Sequence, residues 1–290
     1  MAEYLVARLR RRPAGGSHGS APDGAKPIVA ITAYDYFTAL IAREADADFA
    51  LVGDSLGNVV QGLSSTVPVT LEQMVYHTRI VCRHFPAERV VLDLPFGTFK
   101  QSAEQTVAHA VQAFQDTGCG GVKLEGADAS SLTAIERLRA LGVPVVAHLG
   151  LLPQRVHADG GYRMQGKTTA QAKRLVSDAL ALQDAGAVAL VLECVVPDVA
   201  DEVTEALNIP TIGIGSGAGC SGQILVVHDL LGMLPGTPPS FVKQYAHLFE
   251  QAADAARAYA REVRDGEFPV GSDRERQTAD TAEPVYGGPR

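Results

Sequence analysis

The chain has 290 residues, of which 46% are hydrophobic and 20% are charged, and its formal net charge is −8. This composition supports a sizeable core, and the length fits one α/β barrel or two smaller domains. The acidic balance argues against a nucleic-acid partner, which needs a basic face. No apolar run reaches the roughly 18 residues of a membrane span, so we expect no membrane partner.

The four cysteines are scattered along the chain and form no CxxC pair. We therefore expect reduced thiols in a cytoplasmic protein, not a disulfide framework or a zinc site. We divide the chain into a flexible N-terminal arm (1–26), a catalytic domain (27–265) and a flexible tail (266–290). For the arginine-rich arm we favour a short helix with a disordered extension over an organelle transit peptide.

Short apolar runs alternate with helical patterns between the arm and the tail. The predicted strands span 28–35, 49–55, 90–93, 121–125, 143–148, 188–193, 209–215 and 224–227. The predicted helices span 37–45, 70–84, 103–117, 131–141, 168–185, 198–207 and 240–263. Such Val-, Ile- and Leu-rich runs are typical of parallel strands buried on both faces. Eight repeats without a domain break favour a single-domain (β/α)₈ TIM barrel over an open doubly wound sheet.

Two connections, 56–69 and 150–167, are long for a compact fold. Both follow strand ends, so they lie at the mouth of the predicted barrel. We interpret them as mobile lids, with decorative surface loops as an alternative of nearly equal weight.

Acidic residues end three neighbouring apolar runs: Asp54, Asp93 and Glu125. In a barrel these ends converge on one mouth, where barrel enzymes place their sites. Carboxylate oxygens suit Mg²⁺. A single Asp in such a position is more often a cap, but three together indicate a metal site, in which Glu125 is either a ligand or holds a metal-bound water.

A lysine, a histidine and a fourth acid occupy similar positions. Lys123 shares a side of its strand with Glu125 because side chains alternate. A buried lysine there needs an anion such as a substrate carboxylate or enolate, and a Schiff base is the rival role. His148 is placed to hydrogen-bond a substrate oxygen, although a lone histidine is more often structural. Glu193, across the barrel, is a candidate general base, with a salt bridge to Lys123 as the alternative.

The glycine-rich segment 213–222 contains a GxGxxG match. A dinucleotide-binding fingerprint requires a helix directly after the glycines. A strand-like run at 224–227 follows instead, so we predict no dinucleotide site.

Several motifs resemble the ketopantoate hydroxymethyltransferase family over roughly residues 26–269. They are Thr32-Ala-Tyr-Asp-Tyr, Leu51-Val-Gly-Asp-Ser-Leu-Gly, Asp93-Leu-Pro-Phe, Val122-Lys-Leu-Glu-Gly, Ala147-His-Leu-Gly-Leu-Leu-Pro-Gln, Gly160-Gly-Tyr and Val191-Leu-Glu-Cys-Val. One departure is Ser221, where the family usually carries Asp.

The resemblance implies a phosphoenolpyruvate/pyruvate-type barrel and a homo-oligomer, commonly a decamer. It implies transfer of a hydroxymethyl group from 5,10-methylenetetrahydrofolate to 3-methyl-2-oxobutanoate, which gives 2-dehydropantoate and tetrahydrofolate in pantothenate biosynthesis. It further implies that Asp54 and Asp93 bind Mg²⁺ with Glu125 also at the metal, and that Glu193 accepts the proton. We take as substrate-binding residues Asp54, Ser55, Asp93, Lys123 and His148.

Two other functions compete with this interpretation. A lyase of the same barrel superfamily typically relies on a cysteine in a lid loop, and neither long loop contains one. A non-catalytic barrel that binds a metabolite would tolerate loss of a base or a metal ligand, yet every expected acid is present.

Overall fold

A computed structural model describes residues 4–10, 26–161 and 163–269 of the chain. Its strands are β1 Ile28–Thr32, β2 Phe49–Val52, β3 Val90–Asp93, β4 Gly121–Glu125, β5 Val145–Gly150, β6 Ala189–Glu193, β7 Thr211–Ile214 and β8 Gly222–Leu225. All eight pair in parallel in chain order, and β8 pairs with β1, so the sheet closes into a barrel. The predicted TIM barrel is confirmed.

Helices separate most successive strands. They are α1 Leu5–Arg10, α2 Tyr36–Glu44, α3 Leu56–Val59, α4 Leu71–His84, α5 Ala103–Thr117, α6 Ala129–Ala140, α7 Val156–Asp159, α8 Thr169–Ala185, α9 Pro197–Ala206, α10 Val227–Leu231 and α11 Leu248–Asp265. Two short 3₁₀ turns, Ala87–Arg89 and Pro153–Arg155, precede β3 and α7. In the described part of the chain, no helix combines the length and the apolar character that a membrane crossing requires.

Capping residues explain where the long helices begin and end. Thr70 and Thr168 each accept a hydrogen bond from the backbone N–H three residues later, and a glutamine side chain returns the bond. Such capping boxes satisfy N–H groups that the first helical turn leaves open. Gly118 and Gly186 end α5 and α8 in the left-handed conformation, which glycine adopts at low cost. These predicted boundaries are confirmed.

Other predicted boundaries were wrong by several residues. β1 stops at Thr32 because Asp35 is already the N-cap of α2. β8 begins at Gly222, inside the glycine-rich segment, and the chain is helical again at Val227. A Cβ at Gly222 would lie 2.4 Å from the carbonyl oxygen of Ile28, so close strand packing requires a glycine there. The last helix begins at Leu248, not near residue 240.

Helix α1 closes the N-terminal end of the barrel. Leu5 and Leu9 are each only 1% exposed and belong to the cluster of apolar side chains that fills this end. Arg8 fastens the helix through its Nε, 2.6 Å from Oδ1 of Asp48. The predicted short helix is therefore confirmed, but its role as part of the core was not expected. Residues 11–25 and 270–290 lie outside the described residues, so the division into arm, barrel and tail stays a prediction.

Candidate active site

The ends of the strands bring six ionisable side chains together at the C-terminal mouth of the barrel. They are Asp54, Asp93, Lys123, Glu125, His148 and Glu193. The strand register explains their proximity, since Asp93 lies beside Lys123 and Glu125 lies beside His148. All six line one cavity of about 320 Å³. Asn58 and Thr66 from the first long connection and Phe241 from the segment after α10 complete its wall.

Lys123 is buried and paired with Asp93. Its Nζ donates to both carboxylate oxygens of Asp93 at 2.8 Å and lies 3.9 Å from Oε1 of Glu125. Burial opposes the charged form, but the neighbouring carboxylates, Asp93 first, hold the pKa of Lys123 above its ordinary value. A Schiff base requires a neutral amine, so these surroundings disfavour that role. Its carboxylate partners in the structure are Asp93 and Glu125, not Glu193.

Asp54 lies just beyond β2, near the carboxylates of Asp93 and Glu125. Burial, followed by the charges of Asp93 and Glu125, raises the pKa of Asp54 to about 8. The side-chain amide of Gln154 donates to its Oδ2 at 3.0 Å, and the backbone N–H of Asp54 donates to Oδ2 of Asp93 at 3.3 Å. Since Lys123 is the buried cation beside these acids, an additional cation would relieve their repulsion.

Glu125, His148 and Glu193 form a line across the mouth. His148 Nδ1 is 3.5 Å from Oε1 of Glu125, and its Nε2 is 3.4 Å from Oε2 of Glu193. Burial and Lys123 lower the pKa of His148, but the two glutamates outweigh them and raise it. Burial likewise opposes the ionised form of Glu125, yet His148 and Lys123 lower its pKa. Within the described residues, neither oxygen of Glu125 and neither ring nitrogen of His148 has a hydrogen-bond partner, so these groups are open to a ligand.

Glu193 differs from the other acids in its access to the cavity. Its side chain is 20% exposed, whereas those of Asp93 and Glu125 are 2% and 1% exposed. The carboxylate at the end of β6 can therefore reach a molecule in the cavity without moving the barrel wall.

Ser55 is held by a buried tyrosine. The hydroxyl groups of Ser55 and Tyr34 lie 2.8 Å apart, and Tyr34 is completely buried. Burial raises the pKa of Tyr34, so its hydroxyl stays protonated and can serve as a donor. This contact fixes the position of Ser55 at the edge of the cavity.

The acids at the mouth fit a magnesium ion. Mg²⁺ commonly binds one or two carboxylates and keeps waters or substrate oxygens as its other ligands. Asp54 and Asp93 offer such a pair, and the unpartnered oxygens of Glu125 could accept from a coordinated water. Among the described residues, no three His, Cys, Asp or Glu side chains form a ready-made metal-binding group.

Comparison with known proteins identifies the family. A sequence profile described as ketopantoate hydroxymethyltransferase matches residues 20–271. The chain belongs to this family. It is 48% identical over 245 residues to a 3-methyl-2-oxobutanoate hydroxymethyltransferase of Magnetococcus marinus, covering 84% of this chain and 91% of the relative. It is 46% identical over 261 residues to that of Halalkalibacterium halodurans, covering 90% and 93%. The resemblance and the prediction of a transferase are confirmed.

Solved structures of more distant proteins share the fold. A 2,3-dimethylmalate lyase of the PEP mutase/isocitrate lyase superfamily matches with a TM-score of 0.57 at 18% identity, covering 91% of this chain and 89% of its own. A phosphonopyruvate hydrolase, solved as a complex with oxalate and Mg²⁺, matches with a TM-score of 0.58 at 14% identity, covering 93% and 91%. Identities this low show the barrel alone.

Sequence reasoning missed Gln154 and Tyr34 as parts of the site. Gln154 is 6% exposed, and its amide joins the long loop after β5 to Asp54 and to the carbonyl of Leu94, at 3.0 Å each. Both residues stand inside motifs that carried the family resemblance, which was the available signal. Ser221, in contrast, lies at the N-terminal end of β8, where it exchanges hydrogen bonds with Thr211 far along the strands from the mouth.

Proposed function

We propose that this protein transfers a hydroxymethyl group from 5,10-methylenetetrahydrofolate to 3-methyl-2-oxobutanoate, giving 2-dehydropantoate and tetrahydrofolate in pantothenate biosynthesis. The names of relatives at 45–49% identity support the hydroxymethyltransferase activity. The observation that carries the mechanism is the partly exposed carboxylate of Glu193, which faces a buried, positively charged Lys123 and a cluster of acids.

Asp54 and Asp93 would hold Mg²⁺, with Glu125 beside them. The ion, when bound, supplies positive charge near the keto and carboxylate oxygens of the substrate and so favours an enolate. Lys123 adds a fixed positive charge on the same side of the cavity, and Ser55, held by Tyr34, offers a hydroxyl group to a substrate oxygen.

Glu193 is our proposed general base. It would remove the single hydrogen from the branched carbon next to the keto group, because that carbon can enter the cavity between Glu193 and the acids opposite. His148, whose Nε2 lies 3.4 Å from Oε2 of Glu193 and has no hydrogen-bond partner among the described residues, would donate to a substrate oxygen.

The carbon–carbon bond would then form between the enolate carbon and the one-carbon unit of the folate. That unit already carries the oxygen of the new hydroxyl group, because water adds to the methylene carbon of the folate before the carbon–carbon bond forms; tetrahydrofolate leaves, and Glu193 returns its proton to the alkoxide. We propose that the connections 56–69 and 150–167 act as lids that limit water at this stage, since Asn58 and Thr66 of the first line the cavity and Gln154 of the second bonds to Asp54.

We also propose a cytoplasmic homo-oligomer, decameric by resemblance to the family. Helix α11 contains no buried residue although Phe249, Tyr259 and Val263 are apolar and between 42% and 56% exposed. An apolar surface of this kind supports a subunit contact. The four cysteines are free thiols, which supports a reducing compartment.

The decisive experiment is the formation of 2-dehydropantoate from 3-methyl-2-oxobutanoate by the purified protein. We expect product only when both Mg²⁺ and 5,10-methylenetetrahydrofolate are present, with one tetrahydrofolate formed per product. Product formation that does not depend on the folate, or none at all with every component present, would refute the proposal.

A further inference from the structure

A second cavity of about 490 Å³ adjoins the first at the mouth of the barrel. It lies between the segment that follows β3 and the loop that follows β5. We call it the basic cleft and define it by Phe96, Phe99, Lys100, Arg155 and His157. Gln154 also lines this cleft, and the same amide donates to Asp54 in the wall of the first cavity. Gln154 therefore stands between the first cavity and the basic cleft, and its side chain contacts the wall of each.

The charge of the cleft is opposite to that of the whole chain. The chain carries a net charge of −8, yet the described residues that line the cleft include a lysine, an arginine and a histidine, and none of these described residues is acidic. Lys100 is half-buried, with its ammonium group 5.1 Å from the centre of the Phe99 ring. Burial lowers the pKa of Lys100, and the charges of Glu125 and Asp128 oppose this shift in part. A partly desolvated cation of this kind favours an anionic ligand.

The backbone of Lys100 is also in an unusual conformation. Its φ is +70°, a left-handed value that only three non-glycine residues adopt in the described part of the chain. Such a conformation costs about 1–3 kcal/mol and persists where the surrounding structure imposes it, often at ligand sites. Lys100 therefore lines the cleft from a strained backbone conformation.

The chemistry of the co-substrate matches this cleft. A reduced folate consists of a pterin, an aminobenzoyl ring and one or more glutamates, each of which adds a carboxylate. Its reactive carbon lies at the pterin end and must reach the first cavity, so the glutamates extend outward. Phe96, which is 53% exposed at the cleft, offers a ring face to the aminobenzoyl group.

We propose that the basic cleft binds the glutamyl carboxylates of the folate co-substrate, with Lys100 and Arg155 as the main partners and Phe96 as the contact for the aminobenzoyl ring. This inference rests on the proposed function. It predicts that the protein prefers folates with several glutamates, because each further carboxylate finds a cation in the cleft.

The test compares 5,10-methylenetetrahydrofolate carrying one glutamate with the same compound carrying three. In the native protein we expect a KM about tenfold lower for the triglutamate, which corresponds to about one favourable charge contact, and a preference that weakens at high salt. Lys100→Gln should raise the KM for the triglutamate about tenfold and leave the two KM values within about twofold of each other. The exposed Lys167→Gln, in the second long loop but outside the cleft, is the matched control and should keep the native preference.

A second variant tests the aromatic contact, and the KM for the oxo acid serves as a separate measurement. Phe96→Ala removes an exposed ring and should raise both KM values in parallel, since it leaves the cations in place. The KM for 3-methyl-2-oxobutanoate is measured in all variants and should change less than the KM for the folate. If the native protein forms no product, the proposed function fails. If it forms product but does not distinguish the two folates, or if Lys100→Gln and Lys167→Gln behave alike, the proposed function stands and the role of the basic cleft is refuted.

Discussion

The two ends of the barrel are equally buried but opposite in polarity. At the N-terminal end, Leu5, Leu9 and Ile28 are each 1% exposed and pack against one another in an apolar cluster. At the C-terminal mouth, the side chains of Lys123, Asp93 and Glu125 are at most 5% exposed, yet all of them are ionisable. The same strands supply both ends. At the N-terminal end, the burial of apolar side chains stabilises the fold. At the mouth, burial strengthens the electrostatic interactions of the charged side chains, which catalysis can use.

The largest effect should come from removing the carboxylate that faces the mouth. Glu193→Gln keeps the shape of the side chain but cannot accept a proton, and loss of a general base typically costs ~10²–10⁴-fold. Proton abstraction needs no folate, so it can be followed in deuterated water with Mg²⁺ and 3-methyl-2-oxobutanoate alone. Proton NMR should show the methyl doublet of the substrate collapse with the native protein and hardly change with the variant.

The matched control for this substitution is Glu205→Gln, an exposed position on α9. It should exchange at the native rate. Exchange by Glu193→Gln at the native rate would assign the base to another group, with His148 the next candidate.

The free energy of unfolding should also depend on the balance of positive and negative charge at the mouth. Lys123→Met removes the cation between Asp93 and Glu125 and leaves their buried charge uncompensated. Breaking a buried ion pair by removing one partner costs about 3–5 kcal/mol. Urea denaturation of the metal-free protein should show this loss in the free energy of unfolding, while the exposed Lys167→Met should unfold like the native protein. Equal stability of the two variants would mean that the pair is not needed to hold the mouth together.

At the N-terminal end, a cavity in the apolar core should lower the free energy of unfolding and leave the charged site unchanged. Leu9→Ala should lower the free energy of unfolding by about 2–5 kcal/mol, the usual range for a buried leucine. Deuterium exchange per folded molecule should stay near the native value, because the site lies at the other end of the strands. Leu141→Ala, at a position that is 61% exposed, serves as the control. Loss of exchange without loss of stability in Leu9→Ala would contradict the separation of the two ends.

The pH dependence of the free energy of unfolding tests the raised pKa of Asp54. Its pKa of about 8 in the folded chain compares with about 3.9 for an unperturbed Asp. Between these values the folded state retains a proton that the unfolded chain has released, so stability should fall as pH rises, by at most about 1.4 kcal/mol per pH unit. Thermal denaturation with a chelator present should show a steeper fall in the native protein than in Asp54→Asn. An identical fall in both would contradict the raised pKa.

The same substitution tests the metal. Mg²⁺ binds the ionised carboxylate, so it should stabilise the native protein more at pH 8 than at pH 6. Calorimetric titration of Mg²⁺ in the presence of the oxo acid should show weaker binding by Asp54→Asn and by Asp93→Asn. Native affinity in both variants would remove these residues from the metal site.

The difference between the two ends of the barrel explains how much of the structure the sequence predicts. Asp93 and Glu125 could be predicted because Asp93 ends an uninterrupted apolar run and Glu125 ends a run in which Lys123 is the one polar residue, and the closed barrel fixes where such runs end. Gln154 could not, because it lies in an irregular loop where no periodic pattern indicates its partner. Leu5 and Leu9 were hidden among arginines, and their burial depends on contacts with strands that are distant in the sequence. Local patterns therefore predicted the elements, while contacts between distant segments decided which polar or apolar residues matter.

The smallest effect should come from the one visible departure from the family pattern. The resemblance implies Asp where this chain has Ser221, but Ser221 lies at the N-terminal end of β8, where its Oγ accepts a hydrogen bond from the backbone N–H of Thr211 at 3.2 Å. An Asp oxygen can accept the same bond, and the position is partly exposed. Ser221→Asp should therefore change the free energy of unfolding by no more than about 0.5 kcal/mol, as most surface substitutions do. Deuterium exchange and product formation should stay within about twofold of the native rate, because neither the acids nor Lys123 is near this end of the barrel. A large gain or loss of activity would show that the two ends of the barrel are coupled, and α1, which closes the N-terminal end, would be the first element to examine.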